Sequence, residues 1–70
     1  MNKIFIEDVD YKIDENDGTM FLRKYGMMQK LQDNEEIQVV FIQENNWSAV
    51  YRVRKQDDLY YYCEFIHWVN

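Results

Sequence analysis

The chain has no proline, two glycines, one cysteine and one histidine among 70 residues, and each scarcity closes off a class of explanation. Cys63 has no second cysteine to pair with, so stability has to come from packing, and one thiol suits a reducing compartment better than a small secreted scaffold. With Cys63 and His67 as the sole thiol and imidazole, one copy cannot assemble a zinc site from those ligands. Gly18 and Gly26 stand apart in the sequence and cannot build the glycine-rich loop that cradles a phosphate. Basic residues are short as well. Eight Lys and Arg face thirteen Asp and Glu, and the resulting formal charge of -5 opposes generic attraction to nucleic-acid phosphates. Apolar runs are brief: Ile4-Phe5-Ile6 meets Glu7 and Asp8 at once, too short for a leader or a spanning helix. The expectation is a soluble cytoplasmic protein, one small domain over residues 1–70.

What the chain has in quantity is large apolar side chains: six Tyr, four Phe, two Trp and four Met. A domain of about 60 residues buries only about 60% of its unfolded surface, so these side chains have to carry the core. The closing segment from Leu59 to Val69 is apolar or aromatic at both parities, whereas a strand shows alternate residues to opposite faces. Such a strand needs cover on both sides. One helix covers one face, which leaves the other for a second surface and points to a binding protein or an oligomer.

Residues 3–13 read as a first strand, in which Val9, Tyr11 and Ile13 alternate with Asp8, Asp10 and Lys12, and a bulge near Glu7 and Asp8 accommodates the unbroken Ile4-Phe5-Ile6. Asp14-Glu15-Asn16-Asp17-Gly18 is turn chemistry. Asp17 or Thr19 then offers an N-cap for a helix over residues 19–32, where Phe21, Tyr25, Met28 and Leu31 or Gln32 recur at helical spacing and Leu22 widens the stripe. Gly26 weakens that helix by up to about 1 kcal/mol relative to Ala, and its missing side chain would let the helix approach the sheet. Strands are predicted over 37–43, 47–55 and from 59 onward, joined at Asn45-Asn46 and Asp57-Asp58. The predicted class is α+β: one helix packed on a small, mostly antiparallel sheet, order β-α-β-β-β, with a C-terminal three-stranded meander. Two-residue turns would set Ile42 opposite Ala49 and Val40 opposite Tyr51. One face would then carry Val40, Ile42, Ala49, Tyr51, Val53, Tyr60, Tyr62, Ile66 and Trp68 against the helix. The other would carry Ile37, Val39, Phe41, Val50, Arg52, Arg54, Leu59, Tyr61, Cys63, Phe65 and His67.

The chemistry available to these residues is thin. Cys63 and His67 share a strand face about 13 Å apart, beyond the reach of a nucleophile and its base, so a core or edge thiol and a half-buried imidazole are the better reading. The Asp14 to Gly18 run fails as a calcium loop: with Gly18 in the sixth place, Ile13 falls in the first and Lys24 in the twelfth. No enzyme activity, cofactor, metal, membrane contact or small-molecule substrate is expected, and no motif specific to a known family is present. Two surfaces remain. Asp8, Asp10, Asp14, Glu15 and Asp17 bunch into an acidic rim suited to a basic groove on a protein partner. Phe41, Arg52, Arg54, Tyr61 and Phe65 share the second sheet face, and Arg with Tyr is the composition of interface hot spots.

The expected function is a non-enzymatic, acidic protein-binding module. Phe, Tyr, Met, Ile, Asn and Lys number 31 against 6 for Gly, Ala, Arg and Pro, a bias toward AT-rich codons. With the small size and acidity, that bias suggests a phage or mobile-element inhibitor or modulator of a host nucleic-acid-processing or defence complex. The alternatives are a structural or regulatory homodimer, and a single-stranded nucleic-acid-binding module that stacks bases on the Arg/Tyr face.

Overall fold

In the computed structural model, which describes residues 1–69, nearly all the regular structure is strand. β1 (Asn2–Ile6), β2 (Tyr11–Ile13), β3 (Met20–Arg23), β4 (Glu36–Phe41), β5 (Trp47–Gln56) and β6 (Tyr60–Trp68) form one sheet in the order β1-β4-β5-β6-β3-β2. β1 runs parallel to β4, and every other neighbouring pair is antiparallel. Two 3₁₀ turns, Asp8–Asp10 and Ile42–Glu44, are the sole helical pieces among the described residues, so the α+β expectation is overturned. No helix among them is long and apolar enough to cross a membrane.

The missing helix is replaced by the sheet itself. β1 and β2 occupy opposite margins of a six-stranded sheet yet are separated in the chain by residues 7–10 alone. Laid flat, the margins would lie about 24 Å apart at ~4.8 Å per strand spacing, whereas the five Cα steps from Ile6 to Tyr11 span at most about 19 Å. The 3₁₀ turn shortens the link further, so the sheet has to curl. The Tyr11 ring on β2 accordingly sits 5.3 Å from that of Phe41 on β4, four places away in the strand order. The result is a half-barrel whose concave face supplies its own apolar cover. That face takes alternate residues of each strand: Ile4 and Ile6, Ile37, Val39 and Phe41, Ala49, Tyr51 and Val53, Tyr61 and Cys63, Met20 and Leu22.

Residues 19–32 depart most from expectation. Met20 and Leu22 point inward with strand alternation, because β3 pairs with β6 on one side and β2 on the other. Backbone groups held on both sides outweigh the modest preference of a 14-residue segment for helix. Tyr25 and Met28, assigned to the sheet-facing stripe, are 86% and 94% exposed, and Phe21 lies on the convex face. Gly26 sits at φ +85° with open space where a Cβ would be, so it serves a turn and not a close approach. The chain then runs as a loop over residues 24–35 and plugs one end of the half-barrel. Leu31 is buried, Met27 packs against the core, and the Leu31 N–H donates to the Tyr61 hydroxyl at 3.1 Å.

Two further expectations are corrected. The single first strand with a bulge is two strands at opposite margins, with Asp8–Asp10 turning between them. The two-residue Asn45-Asn46 turn is longer, because Ile42–Glu44 coils as a 3₁₀ turn before Asn45 and Asn46 adopt φ of 56° and 59°. Val40 therefore opposes Ser48 and Ile37 opposes Tyr51, which exchanges the two faces of β4 relative to β5.

Candidate functional site

The end of the half-barrel opposite the loop is lined by rings. Phe41 closes β4, Trp47 opens β5 and Trp68 closes β6, so antiparallel pairing brings these strand ends together. Phe41, Tyr51, Phe65 and Trp68 form a closed circuit, with centroid separations of 6.5, 5.6, 5.4 and 6.3 Å around it. Trp47 stands edge-on to Trp68 at 5.9 Å and Tyr11 edge-on to Phe41. A bulge creates this circuit. Phe65 and Trp68 are three positions apart and would face opposite sides of a regular strand, but the irregularity that leaves Ile66 unpaired sets Phe65 opposite Tyr51 and Trp68 opposite Ala49, both concave residues. Ala49 is small enough to leave room above it. Phe41 and Tyr51 are buried, whereas Trp47 and Trp68 remain 48% and 54% exposed.

Two connected spaces open here. A cavity of about 430 Å³ is lined by Tyr11, Ile13, Phe41, Glu44, Trp47, Tyr51 and Trp68. A longer slot of about 1040 Å³ shares Ile13, Tyr51 and Trp68 with it and runs between the β2–β3 turn, at Asp14 and Asp17 to Thr19, and the edge of β6 at Cys63 to Phe65. The slot exists because β3 is short. Its first residue, Met20, opposes Cys63, and beyond that point β6 has β5 on one side and no strand of the described residues on the other.

The thiol and phenol groups lining these spaces hold their protons. Burial pushes the Cys63 thiol up to about 12. Burial, reinforced by Tyr11 and Cys63, lifts the Tyr51 hydroxyl to about 12. The Tyr11 hydroxyl is raised by burial first, then by the Asp8 carboxylate, to which it donates a 3.4 Å hydrogen bond, and by Glu44. The mouth thus offers ring faces and hydroxyl donors. Among the described residues no cluster of three or more His, Cys, Asp or Glu side chains is placed to hold a metal ion.

The acidic residues named from the sequence fall at the two ends of β2, which is a sheet margin. Asp8 and Asp10 lie in the 3₁₀ turn before it, where Asp10 accepts the Glu7 N–H at 3.1 Å and stands 3.9 Å from Arg23. Asp14, Glu15 and Asp17 belong to the turn after it. There Asp14 accepts the Asn16 N–H and Asp17 the Thr19 N–H, each at 2.9 Å, and the contacts from Thr19 hold the Asp17 carboxyl below its ordinary range. The expected sheet-face set is divided. Phe41 and Tyr61 belong to the core and Phe65 to the mouth. Arg52 and Arg54 are engaged outside, with Glu36 and, at 3.8 Å, Glu64. His67, read as half-buried, is exposed, while Cys63 is wholly buried.

Sequence reasoning missed Trp47, Tyr11 and Ile13 as site residues and put Tyr51 and Trp68 on the sheet face opposite Phe41 and Phe65, whereas all four share one face. The available signal was positional: one tryptophan begins β5 and the other ends its antiparallel partner. The convex face carries a cluster of Phe21, Tyr60 and Tyr62 that borders the slot, with Lys12 5.4 Å from the Tyr60 ring and Lys55 5.0 Å from that of Tyr62. No family model matches the chain, and neither a curated protein nor a solved structure matches it.

Proposed function

We propose that the chain is a non-enzymatic protein-binding module whose contact surface is the aromatic mouth. The observation that carries this is the pair of half-exposed tryptophans, Trp47 and Trp68, at the rim of a circuit of packed aromatic rings. Clustered exposed aromatic surface of this kind marks interaction sites, and tryptophan and tyrosine supply the anchors of protein interfaces. An inhibitor or modulator of a larger host complex would need no more than such a surface. Nucleic-acid binding through Arg52 and Arg54 has less support, because both guanidinium groups already face carboxylates and the net charge is -5.

The test compares the parent with a Trp47→Ser, Trp68→Ser double variant, both shown to be folded by far-UV circular dichroism and thermal melting. Capture of a protein partner by the parent and its loss in the variant is the expected result. A mass that rises with concentration in the parent and not in the variant would make the partner a second copy. Equal capture by both proteins would remove the mouth as the contact surface.

A further inference from the structure

We infer that the slot beside β6 receives an extended peptide segment of another protein, apolar at alternate positions and flanked by Lys or Arg, which adds as a strand to the β6 edge at Phe65 and Trp68. This rests on the reading of the mouth as a protein-contact surface and specifies what enters it. The backbone directions carry the inference. Lys24 N–H donates to the Leu59 carbonyl at 2.9 Å, so Leu59 turns its backbone groups toward β3, and by alternation so do Tyr61 and Cys63. Phe65 is next in that series, but β3 has ended at Met20, and its N–H and C=O are directed into the slot. At the far end Val69 N–H donates to the Ser48 carbonyl at 2.9 Å, which turns Val69 toward β5 and the Trp68 N–H away from it, while the Trp68 carbonyl already lies 3.0 Å from His67 Nδ1. An edge that presents main-chain donors and acceptors in this way selects an extended backbone as its complement.

Side chains then set the character of the occupant. Alternate residues of an added strand would face the concave side, where Tyr51, Phe65 and Trp68 line the slot. Across the gap stand Asp14 and Asp17, with Glu44 beside the adjoining cavity, and none of the three has an ion-pair partner among the described residues. The cations nearby are already engaged: Arg54 with Glu64, and Lys55 over the Tyr62 ring. The charge left to be complemented is negative, which favours basic flanks.

The experiment uses the unaltered protein and the blocked heptapeptide Lys-Thr-Phe-Thr-Phe-Thr-Lys. Its companions are two versions N-methylated on alternate amides, one set for each peptide edge, and one version with Glu in place of both Lys. Amide hydrogen exchange read by NMR should slow by about tenfold or more at Phe65 and Trp68 when the first peptide saturates the protein. Methylation of one peptide edge should weaken binding by roughly 10- to 100-fold, as expected for a few lost hydrogen bonds, and methylation of the other should not. The Glu version should bind more weakly, with the difference shrinking as salt rises. Equal binding of all N-methylated forms, with Phe65 and Trp68 exchanging freely, would overturn strand addition while leaving the mouth as a side-chain contact surface. Absence of any peptide-dependent change in exchange or tryptophan fluorescence would overturn it as well. Protection of Phe65 that grows with protein concentration and no peptide would overturn it in favour of a second copy. Loss of partner capture in the tryptophan variant is a separate result and stands or falls independently.

Discussion

The two ends of the half-barrel hold similar side chains and close them in opposite ways. At one end the chain supplies its own lid: residues 24–35 lay Met27 and Leu31 on the core. The lid's backbone is anchored by Leu31 N–H on the Tyr61 hydroxyl and Asn34 N–H on the Val53 carbonyl at 2.7 Å, and its Asp33 carboxylate accepts from the Gln56 side chain at 3.0 Å. At the other end the connections are short, no segment of the described residues folds across, and the rings of Phe41, Tyr51, Phe65 and Trp68 pack against one another with Phe65 and Trp68 left exposed. Apolar content is therefore not what separates the covered end from the open one here. The difference is whether chain remains to cover it, and whether that chain's own polar groups find partners.

Five measurements bear on this contrast. Leu31→Ala should have the largest effect, about 2 to 5 kcal/mol of unfolding free energy, as a buried leucine leaves a cavity under the lid; a loss below about 1 kcal/mol in a urea titration would mean the lid is not part of the core. Alkali should act next. The Cys63 thiol, normally near 9, is held protonated up to about 12 in the fold, so its contribution is complete below pH 9 and disappears as pH rises toward 12. A difference of that size corresponds to roughly 4 kcal/mol, and Cys63→Val should flatten the decline, with Tyr51 adding a further fall between 10 and about 12. Tyr61→Phe should cost about 1 to 3 kcal/mol by leaving the buried Leu31 N–H without its acceptor.

At the open end Trp68→Ser should cost about 1 kcal/mol in stability, the scale of lost ring contacts, while removing partner capture. A melting temperature that falls as far as for Leu31→Ala would make the mouth a second core. Least affected should be Glu15→Gln in the β2–β3 turn, within about 0.5 kcal/mol, as for surface changes away from structural features. A slower association rate for that variant at low salt would bring Glu15 into the contact surface.

The C-terminal strands were legible because apolar, β-branched and aromatic runs are bounded by turn residues at Asn45-Asn46 and Asp57-Asp58, and β4-β5-β6 is an antiparallel meander. Residues 19–32 were not. Phe21, Tyr25, Met28 and Leu31 fall at helical spacing, but their burial does not share one cause: Leu31 is buried through the lid, Tyr25 and Met28 are outside, and the inward pair Met20 and Leu22 belongs to a strand. Periodicity in a short segment cannot reveal that β6 lacks a neighbour on that side. The aromatic site was obscured by register. Three residues taken up by the Ile42–Glu44 turn exchanged the β4 faces, and the β6 bulge at Ile66 returned Trp68 to the side of Phe65, changes that alternation alone does not encode. The acidic rim was visible as a cluster, but its carboxylates also cap turns, a use that the charge pattern did not distinguish.

The four-residue link between β1 and β2 also bears on how the molecule assembles. Residues 2–6 pair with 37–41, a long separation in a small chain, whereas β4, β5 and β6 are joined by short turns. Loop-closure entropy makes the local meander cheap to form and the parallel β1–β4 ladder costly. Until β1 arrives, the outer edge of β4 is bare, with Ile37, Val39 and Phe41 beside it, the kind of edge on which chains aggregate. Because β1 is tethered to β2 at the opposite margin, its docking and the curling of the sheet are one event. Protection against self-association during folding therefore depends on how quickly the first six residues are drawn across.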